Sequence, residues 1–369
     1  MPAKKIPLTN TRLSAAKRAT IADVAREAGV SKATVSRFLN HREKLLTPDI
    51  ATRVEVAIAA LAYSPSPMAQ ALKRGRSRLI GLVVADVTNP FSVAVLRGAE
   101  KACQQAGYLL MLFNLGNDSR REVEGIEALA AYQVDGFILN TLGRDGGAAA
   151  DAARHGRPVV LVDRRHHDMQ ADFVSLDNAG AVRTVAQHLV DAGYRELLFV
   201  SEPVKDVSSR LERETAFRNF AGASTTATLP PMAGNSALCP LNGATFESSI
   251  EDTAGLDNAL RSLRQRADSR ASLPGVICSN AVVTLRVVAA MARLGWQPGA
   301  DVGMVGFDET DWAPYVGPGI STIAQPTDEL GRIAAGCLIE RLNGLDLPPR
   351  QILLSGKLIP RGSTVPFST

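Results

Sequence analysis

Apolar residues begin to recur at a helical spacing at residue 20. Ile21, Val24, Ala25 and Ala28 stand at i, i+3, i+4 and i+7, the stripe of a short helix with one buried face. Thr20, followed three positions on by Asp23, forms a variant capping box in which each side chain satisfies a free amide of the first turn. Gly29 stops this helix where the backbone must turn through positive φ. Ser31 caps a second helix with Val35 and Leu39 facing inward, leaving Lys32, Ala33, Ser36, Arg37 and Asn40 outward. A third helix starts with Thr47 as cap and Pro48 at the first helical position. It carries Ile50, Val54, Ala57, Ile58 and Leu61 along one face.

The next stretch, "YSPSPMAQALKRGRSRLIG", opens with a Ser-Pro-Ser-Pro break. Met68 to Lys73 then offers one or two helical turns, too short to hold alone in water. It suits a helix that forms only against a partner, or a plain basic linker. From Leu79 the period changes. "LIGLVVAD", "YLLMLFN", "VDGFILN", "PVVLVD", "ELLFVS", "GVICSN" and "VGMVGFD" predict strands. Val93–Ala106, Arg120–Tyr132 and Gly180–Ala192 predict amphipathic helices among them. This alternation predicts parallel sheets wrapped by helices, with ligands at the C-terminal ends of the strands. About 290 residues of it exceed one comfortable core, so two lobes with a cleft are expected. Residues 221–250, rich in small residues and proline, carry no clear period where a strand of the second lobe is due.

Composition adds a division of charge. The 369 residues are 46% hydrophobic and 21% charged, ordinary for two or three globular domains. The net charge of +4 conceals 15 Lys/Arg against 5 Asp/Glu in residues 1–78, and 26 against 32 beyond. A basic head on a mildly acidic body points to a polyanionic partner for the head. Two helices joined by a tight glycine turn follow the helix-turn-helix plan, whose second helix enters the DNA major groove. No apolar run approaches the roughly 18–20 residues that span a bilayer. The basic N-terminus lacks an apolar h-region, so a cytoplasmic location with no membrane contact is expected. Cys103, Cys239, Cys278 and Cys337 lie far apart without a CxxC pair, which suits buried thiols and neither a zinc site nor a disulfide framework. No metal or cofactor is expected.

Residues 20–84 resemble the lac repressor/galactose repressor family of bacterial transcription regulators. "IADVAREAGVSKATVSRFLN" resembles its head, "SPMAQALKRGRSRLIGLVV" its hinge, and "VVADVTNPFSVAVLRGAEKACQQAGY" the start of its effector domain. The likeness runs from about Thr20 to Thr364. It implies an all-α helix-turn-helix head and an α/β two-lobed effector domain of the type I periplasmic-binding-protein fold. The expected divisions are a basic tail (1–19), the DNA-binding domain (20–63), the hinge (64–78) and the effector-binding and dimerisation domain (79–369). The resemblance implies a homodimer on a pseudo-palindromic operator in double-stranded DNA. The absence of a leucine heptad near Thr369 agrees with a dimer. By the family's motif, Lys32, Ala33 and Arg37 fall at base-reading positions and Leu72 at the minor-groove wedge. Thr20, Ser31, Thr34, Ser36, Asn40 and Lys73 complete the expected DNA-facing set. Arginine at a base edge reads guanine bidentately, and an apolar wedge bends the duplex. The resemblance also implies three chain crossings between the lobes, near Asp177–Gly180, Ser321–Gln325 and Leu354–Lys357.

Polar residues that follow directly on strands are the candidates for holding a ligand. Asp86, Asn89 and Phe91 follow the first strand, Asp163, Arg164 and Arg165 follow "PVVLV", and Asn280 follows "GVICS". Asp308 follows "VGMVGF" with Trp312 close behind, and Gln325 follows "STIA". A sugar site needs such hydrogen-bonding groups and an aromatic face for the C–H side of the ring. By resemblance, Asp163, Arg213, Asn280, Asp308 and Gln325 fall at effector-contact positions, although Ala216 and Ala281 replace the family's usual residues beside them. His166–His167 reads as part of a polar surface loop. "FDETDWAPYVGPGISTIAQPTDELGRIAAGCLIERL" resembles the matching segment of regulators that respond to ketoaldonates such as 2-ketogluconate. Arginines near the cleft suit a carboxylated effector; neutral sugars and a purine-type corepressor stay open. A sugar receptor for transport would need an export signal and no DNA head. For an enzyme on a doubly wound fold, the sequence has no nucleophile elbow, phosphate loop, Gly-x-Gly-x-x-Gly turn after a strand or metal-spaced His/Cys set, and nothing recommends a site assembled from distant residues. The expectation is a DNA-binding repressor of sugar-acid catabolism genes, released by its effector.

Overall fold

In the computed structural model the described residues are 19–40, 45–65, 75–142, 147–166, 169–205, 207–226 and 240–364. Leu72 and Lys73 lie outside them. The chain divides into two compact units, Met1–Ser77 and Arg78–Thr369.

The first unit holds three helices, α1 (Ile21–Glu27), α2 (Lys32–Leu39) and α3 (Pro48–Ala60). Both arms of the Thr20–Asp23 capping box are made, and Ser31 accepts the Thr34 amide at the start of α2. Thr47 occupies the N-cap of α3, but its hydroxyl makes no capping bond. Gly29 turns the chain at φ +63°, as the short connection between α1 and α2 requires. Val24, Ala25, Ala28, Val35, Val54 and Ala57 are buried together, with Phe38 and Leu39 packed at the edge.

The second unit contains two six-stranded sheets. In the first, β1 (Leu79–Val84), β2 (Leu109–Asn114), β3 (Gly136–Asn140), β4 (Val159–Val162), β5 (Asp172–Leu176) and β11 (Gln351–Leu354) run in the order β11-β5-β4-β3-β1-β2, all parallel. In the second, β6 (Tyr194–Ser201), β7 (Asn242–Glu247), β8 (Leu273–Cys278), β9 (Gly303–Phe307), β10 (Ser321–Ala324) and β12 (Lys357–Ile359) run in the order β12-β10-β9-β8-β6-β7. Only β12 pairs antiparallel. Position by position the two sheets have the same plan, so β4 and β9 are equivalent strands.

Helices α4 (Pro90–Gln105), α5 (Arg121–Ala131), α6 (Gly147–Arg154) and α11 (Thr327–Leu342) pack on the first sheet. Helices α7 (Asn178–Asp191), α8 (Ser208–Thr226), α9 (Thr253–Ser269) and α10 (Ala281–Leu294) pack on the second. The chain passes between lobes at Asp177, at Gln325–Pro326 and at Ser355–Gly356, between consecutive elements of different sheets. Ser321–Ala324, expected within a crossing, is instead β10 of the second sheet, because its side chains are buried against β9. The return of α11 to the first lobe depends on contact without side chains. A Cβ at Gly98 would stand 2.0 Å from the Asp328 carbonyl oxygen, and one at Gly331 2.0 Å from that of Val95. Asp172 fastens the same return, accepting from Arg341 Nη2 at 2.8 Å and Arg350 Nη2 at 2.9 Å. Burial alone would raise the Asp172 carboxyl, but these arginines outweigh it and hold it well below the usual carboxylate range.

Candidate ligand cleft and nucleic-acid surface

On α2, Lys32, Ala33, Arg37 and Asn40 are exposed, while Thr34 and Ser36 are half-buried. Ser31 and Thr34 share a hydroxyl–hydroxyl bond of 2.9 Å, and Asn40 Nδ2 donates back to the Ser36 carbonyl. Thr20 is exposed but engaged with Asp23. Among the described residues Lys32 and Arg37 make no hydrogen bond or ion pair. Their charges are available to an external partner.

The cleft between the lobes of the second unit is lined from both sides. The first lobe lines it with Asn89, Phe91, Ser92, Asn140, Asp163 and Arg164. The second lobe and its crossing supply Ser209, Arg210, Arg213, Asn280, Asp308 and Gln325. Most of these stand where a strand ends and a helix begins, so several serve as caps. Asn89 Oδ1 accepts the Phe91 amide at 3.0 Å, and Asn280 Oδ1 accepts the Val283 amide at 2.9 Å.

Asp163 and Asp308 end the equivalent strands β4 and β9, and both adopt left-handed backbone, φ 65° and 73°. Among L-residues, aspartate is one of the few that tolerates this region, and such strain collects at functional sites. Asp308 Oδ2 accepts the Ala281 amide at 3.0 Å, and Gln325 Nε2 donates to Oδ1. Asp163 Oδ2 accepts the Ser209 hydroxyl at 3.1 Å from the opposite lobe.

Arg213 is buried and held on several sides. Its Nε donates to Asn178 Oδ1 at 2.7 Å, and its Nη1 to the Ser279 carbonyl at 2.6 Å. The guanidinium carbon stands 4.6 Å from the Phe307 ring centroid, and Nη2 faces Asp163 at 3.9 Å. Arg164 Nη1 donates to the Thr141 carbonyl at 3.1 Å, while its Nε lies 3.5 Å from Asp163. Arg210 Nη2 donates to Glu202 at 2.6 Å, and the same carboxylate oxygen accepts Asn280 Nδ2 at 2.8 Å.

Burial pushes the Asp308 carboxyl up, opposed by Arg213 and by its two hydrogen bonds. The folded chain therefore binds this proton more readily than the unfolded chain. Its contribution favours the fold at low pH and is lost as pH rises through the raised value. Asp308→Asn is expected to raise the unfolding midpoint near neutral pH, the gain fading as pH falls toward the ordinary carboxylate value of 3.8. Gln325 Oε1, without a partner among the described residues, can turn to accept from the new amide. Thermal unfolding between about pH 4 and about pH 8 checks this; a lower midpoint at neutral pH would show the carboxylate to be fully compensated.

Of the candidate ligand residues Asp86, Arg165 and Trp312 fall outside the lining. Trp312 packs instead against the apolar core of the second lobe. Phe91 is the aromatic residue of the lining. Asp86 is taken up by Thr88 and Asn117, and Arg165 lies across the Phe173 ring. His166 is not on a surface loop: it is buried, 2.8 Å from the Thr141 hydroxyl and 3.3 Å from the buried Glu122. Ser92, Asn140, Ser209 and Arg210 were not among the expected residues. Asn140 ends a strand like the others. Ser209 and Arg210 precede Arg213 by four and three residues, which puts all of them on one helix face. Among the described residues no helix is long and apolar enough to cross a membrane, and no group of three or more His, Cys, Asp or Glu could hold a metal ion.

Comparison with known proteins agrees with this geometry. Residues 20–66 match the model for bacterial regulatory proteins, lacI family. Residues 77–229 match that for periplasmic binding proteins and sugar binding domain of LacI family, and residues 186–364 the periplasmic binding protein-like domain. The chain is 43% identical to the HTH-type transcriptional regulator PtxS of Pseudomonas plecoglossicida, over 97% of this chain and 99% of that protein. It is 36% identical to the HTH-type transcriptional regulator KdgR of Bacillus subtilis (strain 168), over 93% and 97%. The fold is similar to that of the lac repressor dimer bound to operator and the anti-inducer ONPF. The TM-score is 0.76 at 22% identity, covering 95% of this chain and 100% of that one. The transcriptional regulator CelR–cellobiose complex is similar at a TM-score of 0.64 and 25% identity, over 94% and 100%.

Proposed function

Since the chain belongs to the lacI family of bacterial regulatory proteins and is a DNA-binding transcriptional regulator, we propose that it is a cytoplasmic homodimeric repressor whose effector is a ketogluconate-type sugar acid. The observation that carries this reading is the charge of the cleft. Arg164, Arg210 and Arg213 line it; Glu202 answers Arg210, Arg164 and Arg213 share Asp163, and burial pushes the other lining carboxyl, Asp308, toward its neutral form. A cleft with this excess favours a ligand that brings a negative charge, because desolvated guanidinium is stabilised by a carboxylate and not by a hydroxyl alone. The asparagines and Gln325 would meet the hydroxyls. Effector binding in the cleft would change the operator-bound state only by its differential affinity for the two states. A hundredfold release corresponds to roughly 2.7 kcal/mol of coupling.

2-Ketogluconate and D-fructose form a matched pair, differing by a carboxylate in place of a hydroxymethyl group. Calorimetric titration of the full chain is expected to give binding of the acid at least about thirtyfold tighter, the ratio for a buried charge left unpaired. Equal or tighter binding of fructose would refute the sugar-acid reading and leave the regulator itself standing.

A further inference from the structure

Arg165 stands next to the cleft residue Arg164, yet it points away from the cavity and bridges the lobes. Its guanidinium carbon lies 3.9 Å from the centroid of the Phe173 ring, on β5 of the first lobe. Its Nε lies 3.5 Å from Glu212 Oε1, and its amide donates to the Ser208 hydroxyl at 2.8 Å, both on α8 of the second lobe. Glu212 Oε2 in turn accepts Asn178 Nδ2 at 2.8 Å, and Asn178 Oδ1 accepts Arg213 Nε at 2.7 Å. Asn178 is buried and opens α7, directly after the first crossing between the lobes.

The chemistry of this chain of contacts has a direction. Arginine only donates and an ionised glutamate only accepts, so the Asn178 amide has one orientation that satisfies both neighbours. Glu212 thereby sets which atom of Asn178 meets Arg213, and Arg165 sets where Glu212 lies. We propose that Arg165, Glu212 and Asn178 form a relay across the lobes that holds the cleft closed and positions Arg213 for the ligand. Arg165 and Glu212 are positioning residues: neither lines the cavity. The inference rests on the reading of the cleft as the effector site, and it adds the means by which closure and ligand grip are linked. Both lobes bias the same four side chains, which is the condition for coupling through a physical network.

The test uses the full chain with Arg165→Met, Glu212→Gln and the double variant. Each single change is expected to weaken 2-ketogluconate binding about tenfold. The double is expected to lose no more than either single, since both break one chain of contacts. Hydrogen exchange without ligand is expected to quicken at residues 163–166 and 208–213 in every variant, with the strands of both sheets unchanged. Arg165→Lys, which keeps the charge and loses the planar fork, is expected to recover part of the affinity. Fully additive losses, or unaltered exchange in those two segments, would overturn the relay. If the wild type fails to bind 2-ketogluconate, the sugar-acid reading falls, while the exchange measurement still decides the relay.

Discussion

Arg213→Met is expected to weaken 2-ketogluconate binding by about 2–5 kcal/mol, the cost of truncating one partner of a buried, hydrogen-bonded charge pair. Methionine retains most of the length that covers Phe307, so the loss reads the charge and its donors rather than a cavity. The guanidinium is fixed before any ligand arrives, by Asn178 on one side and the Ser279 carbonyl on the other. It faces Asp163 directly and pulls the Asp308 carboxyl down against the effect of burial. Without it, Asp308 is expected to take up its proton at a higher pH than in the wild type. The residual affinity should then rise as pH drops, because a protonated Asp308 no longer repels the ligand carboxylate. Operator binding in the absence of ligand should survive, since Arg213 lies outside the head. Calorimetry across a pH series measures both effects, and an unchanged affinity would remove Arg213 from the site.

Much of the architecture is visible in the sequence because period and burial coincide there. The runs ending at Asp86, Asn140, Asp163, Asn280 and Asp308 are strands buried on both faces, so each reads as a continuous apolar stretch. The strands that escape notice depart from that rule. β7 is an edge strand, half exposed, in a segment of small residues; β11 alternates exposed and half-buried positions over four residues, and β12 is three residues with none buried. β5 is fully buried yet begins with Asp172 and contains Ser175, because its aspartate serves the Arg341–Arg350 anchor.

The site follows the same logic. Residues at strand ends are found by position alone, and all of the candidates except Asp86, Arg165 and Trp312 reach the cleft. Trp312 misleads because proximity in sequence to Asp308 does not fix on which side of the strand end its ring packs. Arg210 and Ser209 are hidden for another reason. Their place depends on where α8 starts and on which of its faces turns to the cleft. Arg165 and His166 follow Asp163 in the chain, and whether such residues enter a cavity, cross to another lobe or turn into the core is decided by tertiary neighbours. Phe173, Glu212, Glu122 and Thr141, far apart in the sequence, make that decision.

Arg37→Ala is expected to remove most of the operator preference while keeping most non-specific DNA binding. The head concentrates the positive charge of the chain, 15 Lys/Arg against 5 Asp/Glu in residues 1–78. That charge attracts any phosphate backbone and makes affinity fall steeply with salt as counterions leave. It does not distinguish one base pair from another. Discrimination requires a fork of donors at a base edge, and Arg37 is placed for it: exposed on α2 and without a protein partner among the described residues. A bidentate contact to guanine is worth about 1–3 kcal/mol per half-site, and a homodimer reading two half-sites would lose about twice that. Asn40 and Ser36 bond to each other and brace the same helical turn, so they offer less to replace the lost fork. The measurement is a competition between operator and random DNA at several salt concentrations. Selective loss on operator, with the salt dependence on random DNA unchanged, identifies Arg37 as a base reader. Equal losses on both DNAs, with a salt slope smaller by about one, would make it a phosphate contact that only positions the head.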